Sequence, residues 1–328
     1  MKYANNTCDQ ILFVIPVFND WESLSVLLSD LDCALKQNQK VGQILAVDDS
    51  SNNEYGNLPL RSLSAIESVF VLHLKRNLGH QRAITIGLAY VQENFQTDIV
   101  VVMDGDGEDS PNEAMRLIDC CQTENLNSVI FARRSQRSEP WQFQLFYKTY
   151  RGIYWMLTGF NIQVGNFSVI PFRLLPRLTV VSEIWNHYAA GILKAKIPCK
   201  DIPTRRAKRY CGKSKMNFTS LVTHGLSAIS VYGEKVGVRL LLASIALMLV
   251  AITLVLVVIA IRLMTNWAIP GWASFLLIVL FSVILQMFTI SLAFIFLILN
   301  GRDNTNFLPI RDYHCFVLST SSLYTKNE

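Results

Sequence analysis

Val100-Val101-Val102-Met103-Asp104-Gly105-Asp106-Gly107-Glu108-Asp109 is the stretch that decides how this chain folds, because an apolar run of strand composition discharges directly into a glycine-spaced acidic loop. Outward from it, Ile11 to Pro16, Gln43 to Val47, Val69 to Leu74 and Asp98 to Met103 read as strands. Between them, Trp21 to Gln37 carries Leu24, Leu27, Leu28, Leu31 and Leu35 at helical spacing, and Gln81 to Phe95 behaves likewise. That alternation favours a parallel sheet covered by helices. Each strand ends in polar residues: Asn19 and Asp20, then Asp48 to Asn53, then Arg76 and Asn77, then Asp104 to Asp109. In open sheets of this kind ligands bind beyond the carboxyl ends of the strands, so the four clusters are expected to converge on one site.

Carboxylates spaced like those of the acidic loop can share a hard divalent cation, Mg2+ or Mn2+, which also bridges to phosphate oxygens and stabilises a departing diphosphate. The plainer reading is a capped acidic turn. An EF-hand does not fit, because its loop needs a longer register and a terminal Glu. In Val47-Asp48-Asp49-Ser50-Ser51, a carboxylate after a buried strand can accept hydrogen bonds from a base or ribose, although Asp and Ser also serve as helix caps. Arg205-Arg206 and Arg209-Tyr210-Cys211-Gly212-Lys213-Ser214-Lys215 put cations beside a glycine, suited to a diphosphate or a lipid phosphate. Neither a Walker A loop nor, after Pro16, a Gly-x-Gly-x-x-Gly fingerprint is present.

The 328 residues are 51% hydrophobic, which is high for a soluble enzyme. The excess lies in Leu240 to Ile261 and Ala273 to Leu299, nearly uncharged runs long enough to cross ~30 Å of hydrocarbon at ~1.5 Å per residue. Arg205, Arg206, Lys208, Arg209, Lys213, Lys215, Lys235 and Arg239 crowd the approach to the first run, whereas Arg262 to Trp272 carries a single Arg. Basic flanks mark the cytoplasmic side, which predicts both ends of the chain inside and a short outer loop. No signal peptide is expected ahead of the first strand. The seven cysteines form no Cys-x-x-Cys pair and read as free thiols in a reducing compartment. Trp141 to Leu157, rich in aromatic and basic residues, suits either core packing or an interfacial helix.

The ordered set Ile15-Pro16-Val17-Phe18-Asn19, Asp48-Asp49-Ser50, Arg76-Asn77-Leu78-Gly79-His80 and Val102-Met103-Asp104-Gly105-Asp106, with Gly212-Lys213-Ser214-Lys215 and the two apolar runs, resembles inverting family 2 glycosyltransferases. Within them it is similar to the polyprenyl-phosphate sugar transferases akin to dolichol-phosphate mannose synthase and bacterial undecaprenyl-phosphate glucosyltransferases. The resemblance implies an α/β fold of GT-A type, a Rossmann-like mixed sheet with helices on both faces, followed by two transmembrane helices. The implied boundaries are a cytoplasmic catalytic domain over 1–215, an amphipathic juxtamembrane segment over 216–235, a two-helix anchor over 236–300 and a cytoplasmic tail over 301–328.

By the same resemblance, Pro16, Asn19 and Asp49 line the nucleotide pocket, Asp104 lies beside the donor, and Asp106 is the principal metal ligand. Glu108 falls where close relatives place a Gln that completes the metal shell. Arg133 matches a basic residue on a mobile loop, Lys148 matches the cation that receives the lipid phosphate, and Arg209, Lys213 and Lys215 match the phosphate-binding segment. Asn166 stands where several bacterial relatives carry Asp; a phosphate acceptor is already ionised and needs no strong base, so the difference is compatible with lipid-phosphate glycosylation. The implied protein is an integral membrane enzyme of cell-envelope synthesis, in the inner or plasma membrane of a bacterium. It uses Mg2+ or Mn2+, a nucleotide-sugar donor, membrane lipid and a polyprenyl phosphate acceptor, and no nucleic acid; a homo-oligomer is left open. Transfer to a lipid hydroxyl such as diacylglycerol, or an inactive membrane scaffold of the same fold, are the competing readings.

Overall fold

The computed structural model describes residues 10–326 apart from 54, 56–57, 59, 61–62, 135–140, 161–163, 213–217, 265–270 and 304–306. The chain divides into two units, one of Met1–Gln144, Ile162–Val231 and Asn306–Glu328, the other of Leu145–Asn161 and Tyr232–Thr305.

In chain order the elements are β1 (Ile11–Val17), α1 (Trp21–Gln37), β2 (Gly42–Asp48), β3 (Ile66–Leu74), α2 (His80–Asn94), β4 (Ile99–Val102), α3 (Pro111–Thr123), β5 (Val129–Arg134) and α4 (Trp141–Thr158). There follow β6 (Ser168–Pro171), α5 (Leu175–Leu178), α6 (Tyr188–Lys194), β7 (Cys199–Thr204), α7 (Phe218–Ser230), α8 (Gly233–Met264), α9 (Trp272–Asp303), α10 (Pro309–Asp312) and β8 (Val317–Thr325).

Among the described residues the first unit is built on one mixed sheet of order β7-β5-β6-β4-β1-β2-β3-β8. β4, β1, β2 and β3 run parallel, as do β5 and β7, while β6 and β8 run antiparallel to their neighbours. Its central strands are apolar throughout because helices cover both faces. Along β1, Ile11, Phe13 and Ile15 pack with Leu24 and Leu28 of α1 and Leu117 of α3, whereas Leu12 and Val14 pack with Ile84 and Leu88 of α2. Ser110 caps α3 by accepting the Glu113 N–H at 3.3 Å, with Pro111 at the first helical position.

Asp32 ties α1 to the start of β3. Its Oδ1 accepts the N–H groups of Ser64, Ala65 and Ile66 at 2.9, 2.7 and 2.9 Å, and its Oδ2 accepts the Ser64 hydroxyl at 2.9 Å. Burial pushes this carboxyl up, but the hydrogen bonds outweigh it and hold it below the ordinary value. Asp32→Ala is expected to lower unfolding stability by ~3 kcal/mol, since buried donors are left unmatched. Because the folded-state value is depressed, the wild-type advantage is present above the ordinary carboxylate range and fades as pH falls through the folded value. Chemical denaturation of both proteins across acid pH checks this.

Two expected boundaries change. The segment 301–328, expected as a cytoplasmic tail, returns to the sheet: β8 pairs with the outer edge of β3, Leu72 lying opposite Thr320. Its Val317 packs on one face of the sheet and Leu323 and Tyr324 on the other, so the strand caps both cores. Residues 145–161, expected within the catalytic domain, group instead with α8 and α9, while α7 groups with the first unit.

In the second unit α8 is long and apolar enough to cross a membrane, with mean hydropathy 3.1, and so is Ala273–Leu299 of α9, with 2.5. Small residues let the two helices approach, with Ser244 and Ser291 hydroxyls 2.6 Å apart and Gly237 against Ile298. At the end of α4, Tyr154 is buried near Tyr232 while Trp155 and Met156 are exposed. Arg239 donates to the Met156 carbonyl at 2.7 Å. That grouping favours the interfacial reading of α4 over the core one.

Candidate active site

β1, β2 and β4 end side by side, and their loops meet. β1 pairs with β4 only as far as Val14, so Pro16, which lacks an N–H, interrupts no hydrogen bond on that side. Asn19, at φ +51, donates its N–H to Ser51 Oγ at 2.9 Å and accepts the Asn52 N–H on Oδ1 at 2.8 Å, which joins the β1 and β2 loops. Asp48 accepts the Ser51 N–H at 2.9 Å and pairs with His73 at 3.0 Å.

Asp49 is committed more deeply. Its Oδ1 accepts the Leu78 N–H at 2.7 Å and its Oδ2 the Gly79 N–H at 2.8 Å, so it fixes the turn that opens α2. Burial raises its pKa more than these bonds lower it, with the Asp48 charge alongside adding to the rise.

The acidic loop folds on itself and recruits arginines. Asp104 donates its N–H to Asp109 Oδ2 at 3.0 Å, and Glu108 donates its N–H to Asp106 Oδ1 at 2.9 Å. Gly105 passes close over β1, where an added Cβ would lie 3.2 Å from Ile15. Gly107 holds φ +86 with the Tyr210 ring directly against it. Asp106 pairs with Arg209, and Glu108 takes both Arg206 Nε, at 2.8 Å, and Arg206 Nη2. Arg209 also lies 3.9 Å from Asp20, which brings the β1 loop into the same charge network. Burial raises the pKa of Asp106, and Asp104 and Glu108 add to the rise against the Glu108 N–H and Arg209.

At the opening of α2, His80 Nε2 lies 3.0 Å from Asp104 Oδ1. Desolvation beside the loop opposes protonation of His80, but Asp104, Asp109 and Asp106 hold the pKa of this solvent-exposed side chain above its ordinary value. Behind it His187 and His224 stack with ring centroids 4.6 Å apart. Burial, aided by His224, pushes His187 down to about 3, which keeps it neutral. Gln81 donates to Asn166 Oδ1 at 3.0 Å and accepts the Tyr188 N–H at 2.7 Å.

Of the residues expected from sequence, Pro16, Asn19, Asp49, Asp104, Asp106, Glu108 and Arg209 come together at this end of the sheet. Arg133 instead pairs with Asp201 at 2.9 Å, across the β5–β7 ladder. Lys213 and Lys215 lie outside the described residues, and Lys148 is on α4 with its side chain outside them. The sequence reading missed Arg206 as the partner of Glu108, and gave no role to His80, Gln81, His187 or His224. His80 had a visible signal, being the first residue after the Gly79 turn.

The family model of glycosyl transferase family 2 matches residues 12–179, which is just over half of the chain and reaches from β1 past β6. Among curated proteins, the chain is 26% identical over 283 residues to an uncharacterized glycosyltransferase, YkcC, of Bacillus subtilis, covering 83% of this chain and 84% of that one. It is also 26% identical over 253 residues to an undecaprenyl-phosphate 4-deoxy-4-formamido-L-arabinose transferase of Edwardsiella ictaluri, covering 71% and 74%. Among solved structures, mannosyl-3-phosphoglycerate synthase from Rubrobacter xylanophilus aligns with TM-score 0.48 and 15% identity over 68% of this chain and 72% of that one. The covered mixed sheet, the strand-end acidic loop and the family match agree with the GT-A fold expected from the sequence. The chain belongs to glycosyl transferase family 2.

Proposed function

We propose that this glycosyltransferase moves a sugar from a nucleoside-diphosphate donor to a polyprenyl phosphate, undecaprenyl phosphate in a bacterial host, with inversion, at the cytoplasmic face of the membrane. The observation that carries the reading is the pairing of Asp106 and Glu108 with Arg209 and Arg206 in a chain that also holds two membrane-length apolar helices. A diphosphate escorted by a cation calls for both signs of charge at one place. The name of the Edwardsiella relative supports the acceptor class.

Asp106 and Glu108 fit a divalent ion, Mg2+ or Mn2+, that arrives with the donor, since Mg2+ is usually held by one or two carboxylates plus substrate phosphates. Among the described residues no three His, Cys, Asp or Glu side chains form a cage without it. When bound, the ion neutralises charge on the departing diphosphate. Arg206 and Arg209 then exchange their carboxylate partners for phosphate oxygens, while His80 holds Asp104 in place beside the donor. The acceptor phosphate oxygen forms a bond to the anomeric carbon as the bond to the diphosphate breaks, the electron pair leaving with the nucleotide. An ionised phosphate has no proton to surrender, so no strong base is required. Lys148, Lys213 and Lys215 are proposed as further phosphate contacts on sequence grounds, and Arg133, which pairs with Asp201, as a catalytic basic residue of a mobile loop. Mass spectrometry of the lipid product formed from a panel of nucleotide sugars, with undecaprenyl phosphate and diacylglycerol offered together, tests the reading; a product on diacylglycerol alone replaces it.

The basic approach at Arg205 to Arg239 supports a cytoplasmic catalytic side, and connectivity supports both ends of the chain lying on one side. β8 lies in the same sheet as the strands that precede the helices, so the chain between them crosses the bilayer an even number of times. Ser274→Cys, at the start of α9, is expected to react with a membrane-impermeant thiol reagent in intact cells, while Cys211 stays protected. The opposite labelling overturns the orientation.

A further inference from the structure

Two consecutive residues at the opening of α2 hold both segments that flank the reacting end of the sheet. His80 pairs with Asp104, just past β4, and Gln81 donates to Asn166, just ahead of β6. β4 and β6 are antiparallel with Val102 opposite Ser168, so the segments carrying Asp104 and Asn166 leave the sheet at the same end. Through these two neighbouring residues of α2, Asn166 and Asp104 are held to one turn of the helix.

The direction of its hydrogen bonds is fixed from the backbone outward. Gln81 Oε1 accepts the Tyr188 N–H at 2.7 Å, and a backbone N–H is a donor only, so the Gln81 amide has one orientation and its NH2 meets Asn166. Asn166 must answer with its carbonyl oxygen, at 3.0 Å. Its backbone is held as well: Ser168 Oγ donates to the Asn166 carbonyl at 3.0 Å and is itself 2.8 Å from the buried Tyr188 hydroxyl. The NH2 of Asn166 is left over, and among the described residues it has no hydrogen-bond partner.

We infer that Asn166 is a specificity-determining residue, a fixed hydrogen-bond donor that receives an acceptor group already carrying negative charge. The inference rests on the proposed acceptor class and names the feature of this site that selects it. A neutral amide takes no proton from a hydroxyl, but it donates to an ionised phosphate oxygen, and such charge-assisted bonds are the stronger kind. A carboxylate at 166 would accept from Gln81 equally well, so the fold tolerates either side chain. What changes is the face shown to the incoming acceptor, a donor in one case and an anion in the other.

Asn166→Asp and Gln81→Glu test this in the full-length, detergent-solubilised enzyme. Glu at 81 still accepts from Tyr188 but, when ionised, cannot donate to Asn166, which releases the amide to turn. Native mass spectrometry reads binding of undecaprenyl phosphate and of undecaprenol without any donor. Steady-state kinetics vary undecaprenyl phosphate against the best donor from a panel of UDP- and GDP-hexoses. Asn166→Asp is expected to weaken undecaprenyl phosphate binding about tenfold and to raise its KM as much, with undecaprenol binding and the donor KM within about twofold of wild type. Gln81→Glu is expected to shift the same two quantities in the same direction by a smaller factor, whereas a purely structural role would lower the melting temperature and scale every parameter together. Undecaprenyl phosphate binding and KM unchanged in Asn166→Asp overturn the role of Asn166 and leave the acceptor class standing. A wild-type enzyme that binds and glycosylates undecaprenol but not undecaprenyl phosphate overturns both.

Discussion

Asp106→Asn should reduce transfer by about 10²–10³-fold while leaving the melting temperature near that of wild type, because the charge it removes acts on ligands rather than on the fold. Asn preserves the size of the side chain and can still accept the Glu108 N–H on its carbonyl oxygen. What it loses is the negative charge facing Arg209 and any cation brought by the donor. The sign of the stability effect follows from the titration. Burial, with Asp104 and Glu108 nearby, raises the Asp106 pKa, so the ionised form is less welcome in the fold than in the unfolded chain. Neutralising it therefore costs no stability above the ordinary carboxylate range. Initial rates across a Mg2+ and Mn2+ titration, with thermal melts alongside, check both halves; wild-type turnover at saturating metal would remove Asp106 from the site.

Gly107→Ala is the second large effect, and here activity and stability fall together. At φ +86 an L side chain adds ~1–2 kcal/mol of backbone strain, and the new Cβ would stand 2.3 Å from two Tyr210 ring carbons. The ring has little room to yield. Tyr210 donates its N–H to the Asp106 carbonyl at 2.9 Å and its hydroxyl to Asp30 at 2.6 Å, and Arg209 is its immediate neighbour. Moving Tyr210 thus pulls Arg209 away from Asp106, and a misplacement of ~1 Å at a reacting site costs about 10²-fold in rate. Adding Tyr210→Ala to Gly107→Ala should recover part of the lost stability, since the two positions are coupled by the clash. Wild-type kinetics in Gly107→Ala would mean that Tyr210 does not place Arg209.

Much of this was legible because burial writes itself into composition. Val100 to Met103 are fully buried, and the leucines of α1 at helical spacing are the ones that meet the sheet. The apolar runs Leu240 to Ile261 and Ala273 to Leu299 fall inside α8 and α9. Pairings between distant residues were not legible. Glu108 and Arg206 are 98 positions apart, and no local rule joins them. Asp49 read as an acceptor for a nucleotide, yet its oxygens meet backbone N–H groups 29 and 30 residues further on. β8 escaped because Ser319 to Ser322 is polar and short of strand formers; its conformation comes from the open edge of β3 rather than from its own residues. α4 showed its aromatic character plainly, but which unit claimed it depended on Tyr232 and Arg239, far along the chain.

The return of β8 to the sheet also sets an order of birth. Until β8 is made, β3 offers an unpaired row of backbone donors and acceptors, the kind of edge that templates aggregation. The strand that closes it is made only after both apolar helices, so the sheet of the first unit is completed by a segment that lies beyond them in the chain. A chain in which β8 cannot reach β3 would leave that edge open.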